Sequence, residues 1–77
     1  MFDRREFLRE YLKDIEEQRI PELRAQLVPL ESGEMHLGER KEYGPWVDTT
    51  QRDIDRLKKS IVEYERIAAD LRKSESL

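Results

Sequence analysis

The second half of the chain carries an uninterrupted heptad pattern of apolar residues. Its members fall at alternating steps of three and four positions, which places them along one side of an α-helix. They are Ile54, Leu57, Ile61, Tyr64, Ala68 and Leu71. Such a seam is typical of a helix that packs lengthwise on other helices. The sequence therefore predicts a helix over about residues 48–73.

The start of this second helix is marked by residues that commonly cap helices. Asp48 is suited to the N-cap, and Gln51 three residues later completes a capping box. Thr49 and Thr50 are alternative caps, so the pattern sets the first residue only to within about two positions.

The first half predicts a longer and less regular helix over about residues 3–28. Its apolar stripe runs through Leu8, Leu12, Ile15, Leu23 and Leu27 and reaches Leu30. Pro21 lies inside this stripe, where it removes a backbone hydrogen bond and crowds the preceding turn. Two interpretations follow: a continuous kinked helix, or a break near Ile20 with Pro21 opening a second short helix. Continuity of the stripe across Pro21 favours the kinked helix.

The size of the chain indicates how these helices are stabilised. A chain of 77 residues forms one domain over residues 1–77 and has difficulty burying enough apolar surface. It contains no cysteine and one histidine, which excludes disulfides, thiolate metal sites and a histidine-rich zinc site within one chain. Self-association is the remaining means of stabilisation.

A single helical hairpin would bury one seam and leave other apolar residues poorly covered. These residues are Tyr11, Ile20, Val62 and Ile67. Pairing two hairpins would cover them. The predicted fold class is therefore all-α: two long amphipathic helices form a helical hairpin, which dimerises into a four-helix bundle or coiled coil.

Residues 29–47 form a connection that is long for a helical bundle. Alternation of Met35 and Leu37 before Gly38, with Tyr43 after it, also permits a short β-hairpin. Arg40, Tyr43 and Trp46 form the candidate partner surface, because aromatic residues and arginine often anchor interfaces. The alternative is that Trp46 folds back over the end of the bundle, and in both cases we expect it to be covered.

The same connection contains two weak motifs for ligand binding. Residues 33–40 superficially match a phosphate-binding loop, but Glu39 and Arg40 replace its lysine and hydroxyl residues and no strand precedes it. His36 with Glu34 and Glu39 offers sparse metal ligands without fixed geometry. We therefore predict no cofactor and no metal site.

The pattern of charged residues suggests two alternative functions. Arg5, Arg9 and Lys13 form a basic ridge on the first helix, which is the basis for a nucleic-acid-binding regulator. Adjacent acidic residues weaken that prediction. The second alternative is a helical anion-binding enzyme, with a pocket across a dimer interface lined by Arg5, Arg9, Arg52 and Arg56.

Global charge and hydropathy argue against two classes of partner. The 15 basic and 18 acidic residues give a net charge of −3 and are interspersed, so no basic block is present to attract nucleic acid or an anionic membrane. No apolar run approaches the ~20 residues that span a bilayer. The charged N-terminal segment lacks the apolar core of a signal peptide, and we expect a cytoplasmic location.

No set of residues in the sequence assembles into a recognisable catalytic site. The sequence thus predicts a non-enzymatic helical protein–protein interaction or regulatory module that acts as a homodimer. Its expected partners are a second copy of itself and another protein.

Overall fold

The computed structural model describes residues 3–40 and 42–75. In chain order it contains α1 (Arg4–Asp14), a π-helical turn (Ile15–Arg19), α2 (Ile20–Ser32), β1 (Gly38–Arg40), β2 (Trp46–Asp48) and α3 (Thr50–Glu75). The fold is mostly helical, with a small two-stranded sheet between the helices. The molecule measures 55 × 26 × 15 Å, so it is a single layer of helices.

Helix α1, the π turn and α2 form one continuous helical rod, which we call the N-terminal helix. Asp3 caps its start, because its side chain accepts hydrogen bonds from the Arg5 and Glu6 amides. The backbone stays right-handed helical at Ile15 and at Ile20. The interpretation with a break near Ile20 is therefore wrong.

Pro21 is accommodated by the π turn that directly precedes it. The Ile20 amide donates to the Ile15 carbonyl five residues back, which is a wider turn than an α-helix makes. Pro21 itself lies at the start of α2, where a missing N–H is best tolerated. The proline thus changes the helix locally and does not end it.

The N-terminal helix ends at Ser32, four residues beyond the predicted end at Val28, so Pro29 belongs to the helix and not to the connection. Leu30 is buried and keeps the last turn on the core. Gly33 then adopts a left-handed conformation with φ of 84°, which glycine reaches without steric cost. The Pro29 carbonyl accepts a hydrogen bond from the Met35 amide at 3.0 Å.

The two long helices pack antiparallel within the chain, and their seams form two adjoining core clusters. The cluster near the sheet contains Leu27, Leu30, Ile54 and Ile61, with Ile20, Leu23, Leu37 and Leu57 packed against it. The cluster at the opposite end contains Leu12, Ile15 and Ala68, with Ile20, Tyr64 and Leu71 packed against it. Ile20 contacts both clusters, so the expectation that a single hairpin leaves it poorly covered is wrong.

The connection between the helices contains a short antiparallel hairpin. Gly38 pairs with Asp48, Glu39 with Val47, and Arg40 with Trp46. The hairpin alternative left open by the sequence is therefore correct, although Met35 and Tyr43, whose spacing suggested it, lie outside the strands.

Helix α3 begins at Thr50, two residues later than the predicted start. Thr49 thus holds the N-cap position, and its hydroxyl donates to Asp53 Oδ2 at 2.8 Å. Asp48 instead accepts the Thr50 amide, at 2.8 Å. Gln51 donates to Asp55, so the predicted capping box from Asp48 to Gln51 is wrong.

Candidate interaction surface

The hairpin is fixed to the start of α3 by a buried polar cluster. The Thr50 hydroxyl accepts the Leu37 amide at 2.9 Å and lies 3.3 Å from the Leu37 carbonyl, to which it donates. The same carbonyl accepts the Thr49 amide at 2.8 Å. Because Thr49 and Thr50 are both buried and Leu37 packs on the core, the residue that precedes β1 is held firmly to the helix.

Asp53 completes this cluster from the first turn of α3. Its side chain is buried, and its carboxylate accepts hydrogen bonds from Thr49 Oγ1 and from Arg56 Nη2, both at 2.8 Å. Both carboxylate oxygens therefore have partners, as a buried charge requires. Sequence reasoning missed this cluster; the available signal was the Thr49–Thr50 pair followed by Asp53 three and four residues later.

Charged side chains on both strands of the hairpin pair with side chains outside it. Glu39 on β1 binds Arg52 on α3, and this hydrogen bond raises the pKa of the Arg52 guanidinium. The hydrogen bonds from Thr50 lower the pKa of the Asp48 carboxyl, with a smaller contribution from His36. His36 Nδ1 lies 3.8 Å from Asp48 Oδ2.

The hairpin has two different sides. Directly opposed residues of two paired strands share a face, and neighbouring residues on a strand alternate between the two faces. Glu39 and its partner Val47 therefore lie on one side of the hairpin, the side where Glu39 reaches α3. Arg40 and Trp46 form a directly opposed pair on the other side. The indole of Trp46 lies on Gly38, where a Cβ would come within 2.1 Å of the ring. Glycine is thus required at position 38 for this contact.

The structure brings Arg40, Tyr43 and Trp46 together on this one hairpin. Arg40 Nε donates to the Gly44 carbonyl at 3.4 Å and so spans the turn. Tyr43 lies within the turn and is 98% exposed, and Trp46 is 54% exposed. The expectation that Trp46 is covered is therefore wrong within this chain, because the tryptophan packs on Gly38 and not over the end of the helices.

Besides its exposure, Tyr43 has an unusual backbone conformation. Its φ of 65° lies in the left-handed region, and it is the one non-glycine residue with positive φ in the described part of the chain. For a residue with a Cβ, this conformation costs ~1–2 kcal/mol. The cost is not offset by burial, since almost the whole side chain is exposed.

The predicted seam residues other than Leu8 belong to the two core clusters or pack against them. Those that are buried are Leu12, Ile15, Leu27, Ile54, Ile61 and Ala68. Those that are half-buried are Leu8, Leu23, Leu57, Tyr64 and Leu71. The contacts among these residues are made within one chain, between the N-terminal helix and α3.

Positions that directly follow a seam residue form one flank of the helix pair, which we call the ion-pair face. Three salt bridges join the helices there: Glu16–Arg72, Arg24–Glu65 and Glu31–Lys58. Each of these six residues follows a seam residue by one position. In two antiparallel helices that face each other, the positions after the seam turn toward the same flank.

Positions that directly precede a seam residue form the opposite flank, which we call the open face. Phe7, Tyr11 and Ile67 precede Leu8, Leu12 and Ala68, and they are 53%, 42% and 37% exposed. The Phe7 and Tyr11 rings are parallel, with centroids 6.5 Å apart. An apolar patch therefore lies on the open face, near the end opposite the hairpin.

The other charged candidates do not converge. Glu39 binds Arg52, while His36 is near Asp48. His36, Glu34 and Glu39, which the sequence did not support as metal ligands, are not brought together. Within residues 3–40 and 42–75, no group of three histidine, aspartate or glutamate residues is placed to hold a metal.

The arginines proposed for an anion pocket are all exposed. Arg52 and Arg56 are paired with Glu39 and Asp53, whereas Arg5 and Arg9 lie on α1. The basic ridge of Arg5, Arg9 and Lys13 is exposed along α1 as well. The single chain therefore does not form the buried arginine cluster that the enzyme hypothesis requires.

In the described part of the chain, neither long helix has the length of apolar sequence needed to cross a lipid bilayer.

Comparison with known proteins gives no match: no protein family, no curated protein and no solved structure is significantly similar to this chain. The interpretation of function therefore depends on the chemistry and geometry of the surfaces described above.

Proposed function

We propose that this protein is a non-enzymatic helical interaction module, which acts as a homodimer and presents its hairpin to another protein. The contact surface for that protein comprises Arg40, Tyr43 and Trp46. The helices serve as the scaffold that holds this surface and joins the two copies.

Tyr43 is the observation that carries the proposal. A tyrosine that is 98% exposed in a left-handed turn adds backbone strain and buries almost no apolar surface within the chain. Asparagine or glycine would form such a turn at lower cost. Tyrosine is among the residue types that contribute most to binding at protein interfaces. A role in binding therefore accounts for its presence better than a role in folding does.

Two neighbouring residues support the same role. Trp46 is half exposed, and its indole is oriented by packing on Gly38. Arg40 is opposite Trp46 and spans the turn through Gly44. Since the hairpin is tied to α3 through Leu37 and Thr50, these side chains lie on a preorganised support. Preorganisation lowers the entropic cost of binding.

Homodimerisation is supported by the thinness of the fold. A molecule 15 Å thick has one layer of helices, whereas stable domains usually bury apolar faces between two layers. Exposed Phe7, Tyr11 and Ile67 indicate apolar surface available to a second layer. The direct test is molar mass in solution: we expect about twice the 9.3 kDa of one chain, and 9.3 kDa at all concentrations would contradict the homodimer.

The hairpin surface is tested by comparative affinity purification. A Tyr43→Gly/Trp46→Ser variant should lose a defined set of proteins that the unaltered chain and a Val28→Ser variant both retain. Val28 is a matched control because it is an exposed apolar residue of α2, 66% exposed, and is not part of the hairpin. Recovery of the same proteins with all three chains would contradict the assignment of the surface.

A further inference from the structure

The hydrogen-bond pattern of the hairpin shows which backbone groups its two strands leave unused. The Leu37 carbonyl accepts the Thr49 amide at 2.8 Å. These two residues extend the register that pairs Glu39 with Val47. In an antiparallel ladder, hydrogen-bonded pairs alternate with pairs whose amides and carbonyls point away from the partner strand. Glu39 and Val47 therefore bond each other, and the residues beside them direct their backbone groups outward.

Both long edges of the hairpin consequently carry outward backbone groups. On β1 these are the amides and carbonyls of Gly38 and Arg40, and on β2 they are those of Trp46 and Asp48. In residues 3–40 and 42–75, no backbone hydrogen bond outside the helices and the strand ladder engages these groups. All four residues are exposed. An exposed strand edge with unpaired amides and carbonyls is a template for a further strand.

The side chains around β1 favour one kind of added strand. The indole of Trp46 lies over Gly38, which has no side chain of its own. A residue opposite Gly38 on an added strand therefore has access to the indole, and an apolar side chain suits that position. Arg40 lies on the same face of the hairpin, opposite Trp46. A residue opposite Arg40 is best acidic, because opposite charges on directly paired residues stabilise a sheet.

We propose that β1 binds an extended segment of the partner protein as a third, antiparallel strand, and that this segment has the pattern acidic–any–apolar. Antiparallel pairing places the residue opposite Arg40 two positions before the residue opposite Gly38, which sets that order. The inference rests on the proposed hairpin surface and specifies its mode of binding and the chemistry of its partner. Backbone hydrogen bonds from β1 supply affinity, and side chains at alternate positions supply specificity.

A second copy of β1 is a poor occupant of this edge. Antiparallel pairing of two β1 strands along their full length sets Glu39 directly opposite Glu39 of the other copy. Like charges in that position destabilise a sheet. The same pairing sets each Arg40 opposite Gly38, without a carboxylate partner. The edge of β1 therefore favours a segment of a different protein over a second copy of this chain.

Amide hydrogen exchange measured by NMR tests the added strand on the unaltered chain. The probe is a short synthetic peptide, rich in threonine and valine, that carries glutamate and, two positions later, phenylalanine. In the free chain, the Glu39 and Val47 amides should exchange more slowly than those of Gly38 and Arg40, because they belong to the ladder. Saturation with the peptide should slow exchange at Gly38 and Arg40 at least about tenfold and leave the outward amides of β2 unchanged.

Total chemical synthesis of the chain permits a backbone change that keeps every side chain. N-methylation of Gly38 removes an outward donor and places a methyl group on the edge of β1, while the ladder to β2 is retained. We expect the dissociation constant of the peptide to rise at least about tenfold in isothermal titration calorimetry. N-methylation of Asp48 is the matched control: it makes the same change on the edge of β2 and should leave the constant unchanged. Circular dichroism should show unaltered helicity for both synthetic chains.

A charge swap tests the acidic position of the segment. A peptide with lysine in place of the glutamate should bind the unaltered chain about threefold more weakly, because it places two like charges opposite each other. The Arg40→Glu chain should reverse this preference. Equal binding of both peptides to both chains would contradict the pairing of Arg40 with an acidic residue.

The possible results separate strand addition from the proposed hairpin surface. Absence of peptide binding, or slowed exchange at Trp46 and Asp48 instead of β1, would overturn strand addition at this edge. Proteins that the chain with N-methylated Gly38 still captures, and that Tyr43→Gly/Trp46→Ser loses, would retain the hairpin surface and overturn strand addition. Capture unaffected by either change would contradict both. Slowed exchange at Gly38 and Arg40, with weaker binding only after N-methylation of Gly38, supports the full proposal.

Discussion

The Thr50 hydroxyl holds both backbone groups of Leu37: it accepts the Leu37 amide at 2.9 Å and donates to the Leu37 carbonyl at 3.3 Å. One side chain at the start of α3 thus provides hydrogen-bond partners for the amide and the carbonyl of the residue that directly precedes β1. Because Leu37 also packs on the core cluster near the sheet, this contact links the helices to the candidate interaction surface.

Replacement of Thr50 tests how strongly the hairpin depends on this contact. Thr50→Val keeps the shape of the side chain but leaves the partly buried Leu37 amide without its partner. We expect the free energy of unfolding to fall by about 1–3 kcal/mol in urea titration. Thr50→Ser keeps the hydroxyl and should cost less. Equal losses in the two variants would show that the hydrogen bonds are not the stabilising feature.

Buried and exposed apolar positions on the N-terminal helix should respond very differently to truncation. Ile15 is fully buried, so Ile15→Ala should lower the free energy of unfolding by about 2–5 kcal/mol through lost contacts and a cavity. Val28 is 66% exposed, and Val28→Ala should change it by less than ~0.5 kcal/mol. Thermal or urea unfolding at one protein concentration measures both, and a small effect at Ile15 would contradict the core assignment.

The sequence was sufficient to predict the helices and their seams. Buried residues such as Leu12, Ile61 and Ala68 follow from spacing alone, because one face of each helix must be covered. The end of the first helix was not predictable in this way. Pro29 normally indicates a helix end, but burial of Leu30 and the left-handed Gly33 extend the helix to Ser32.

The candidate site was predictable in its residues and not in its geometry. Tyr43 and Trp46 were identifiable as aromatic residues in a long connection, whereas the exposure of Trp46 depends on its contact with Gly38. The strands are only three residues long and are held by the contact between Leu37 and Thr50. Local sequence preference does not determine such short strands, because their stability comes from tertiary contacts.

The charge of Asp48 should stabilise the fold in a pH-dependent manner. Hydrogen bonds from Thr50 lower the pKa of this carboxyl below its ordinary value of 3.8 in the folded chain. A depressed folded-state pKa gives stability that is present above the unfolded-state pKa and is lost as the pH falls through the folded-state pKa. Asp48→Asn retains an oxygen that can accept the Thr50 amide but removes the charge.

We therefore expect Asp48→Asn to be less stable than the unaltered chain at pH 6, with a difference that shrinks as the pH falls below about 4. Urea titrations of both chains between pH 2 and pH 7 measure this difference. A difference that is constant across this range would show that the effect of the substitution is unrelated to ionisation of Asp48.

Tyr43 offers a test that separates stability from binding. At a φ of 65°, Tyr43→Gly should relieve strain in the turn, since glycine has no Cβ to crowd the backbone. Tyr43→Ala removes the same ring and keeps the Cβ. We expect the glycine variant to exceed the alanine variant in free energy of unfolding by about 1 kcal/mol. Because the ring is almost fully exposed, the alanine variant should match the unaltered chain closely.

The two variants should nevertheless behave alike in binding. Both substitutions remove the ring, so in the proposed contact role of Tyr43 both should weaken capture of the proteins that bind the hairpin, despite their different stabilities. Urea titration and affinity purification of the same three chains provide the comparison. Binding that follows stability, with the glycine variant retaining its partners, would show that the tyrosine ring is not part of the contact surface.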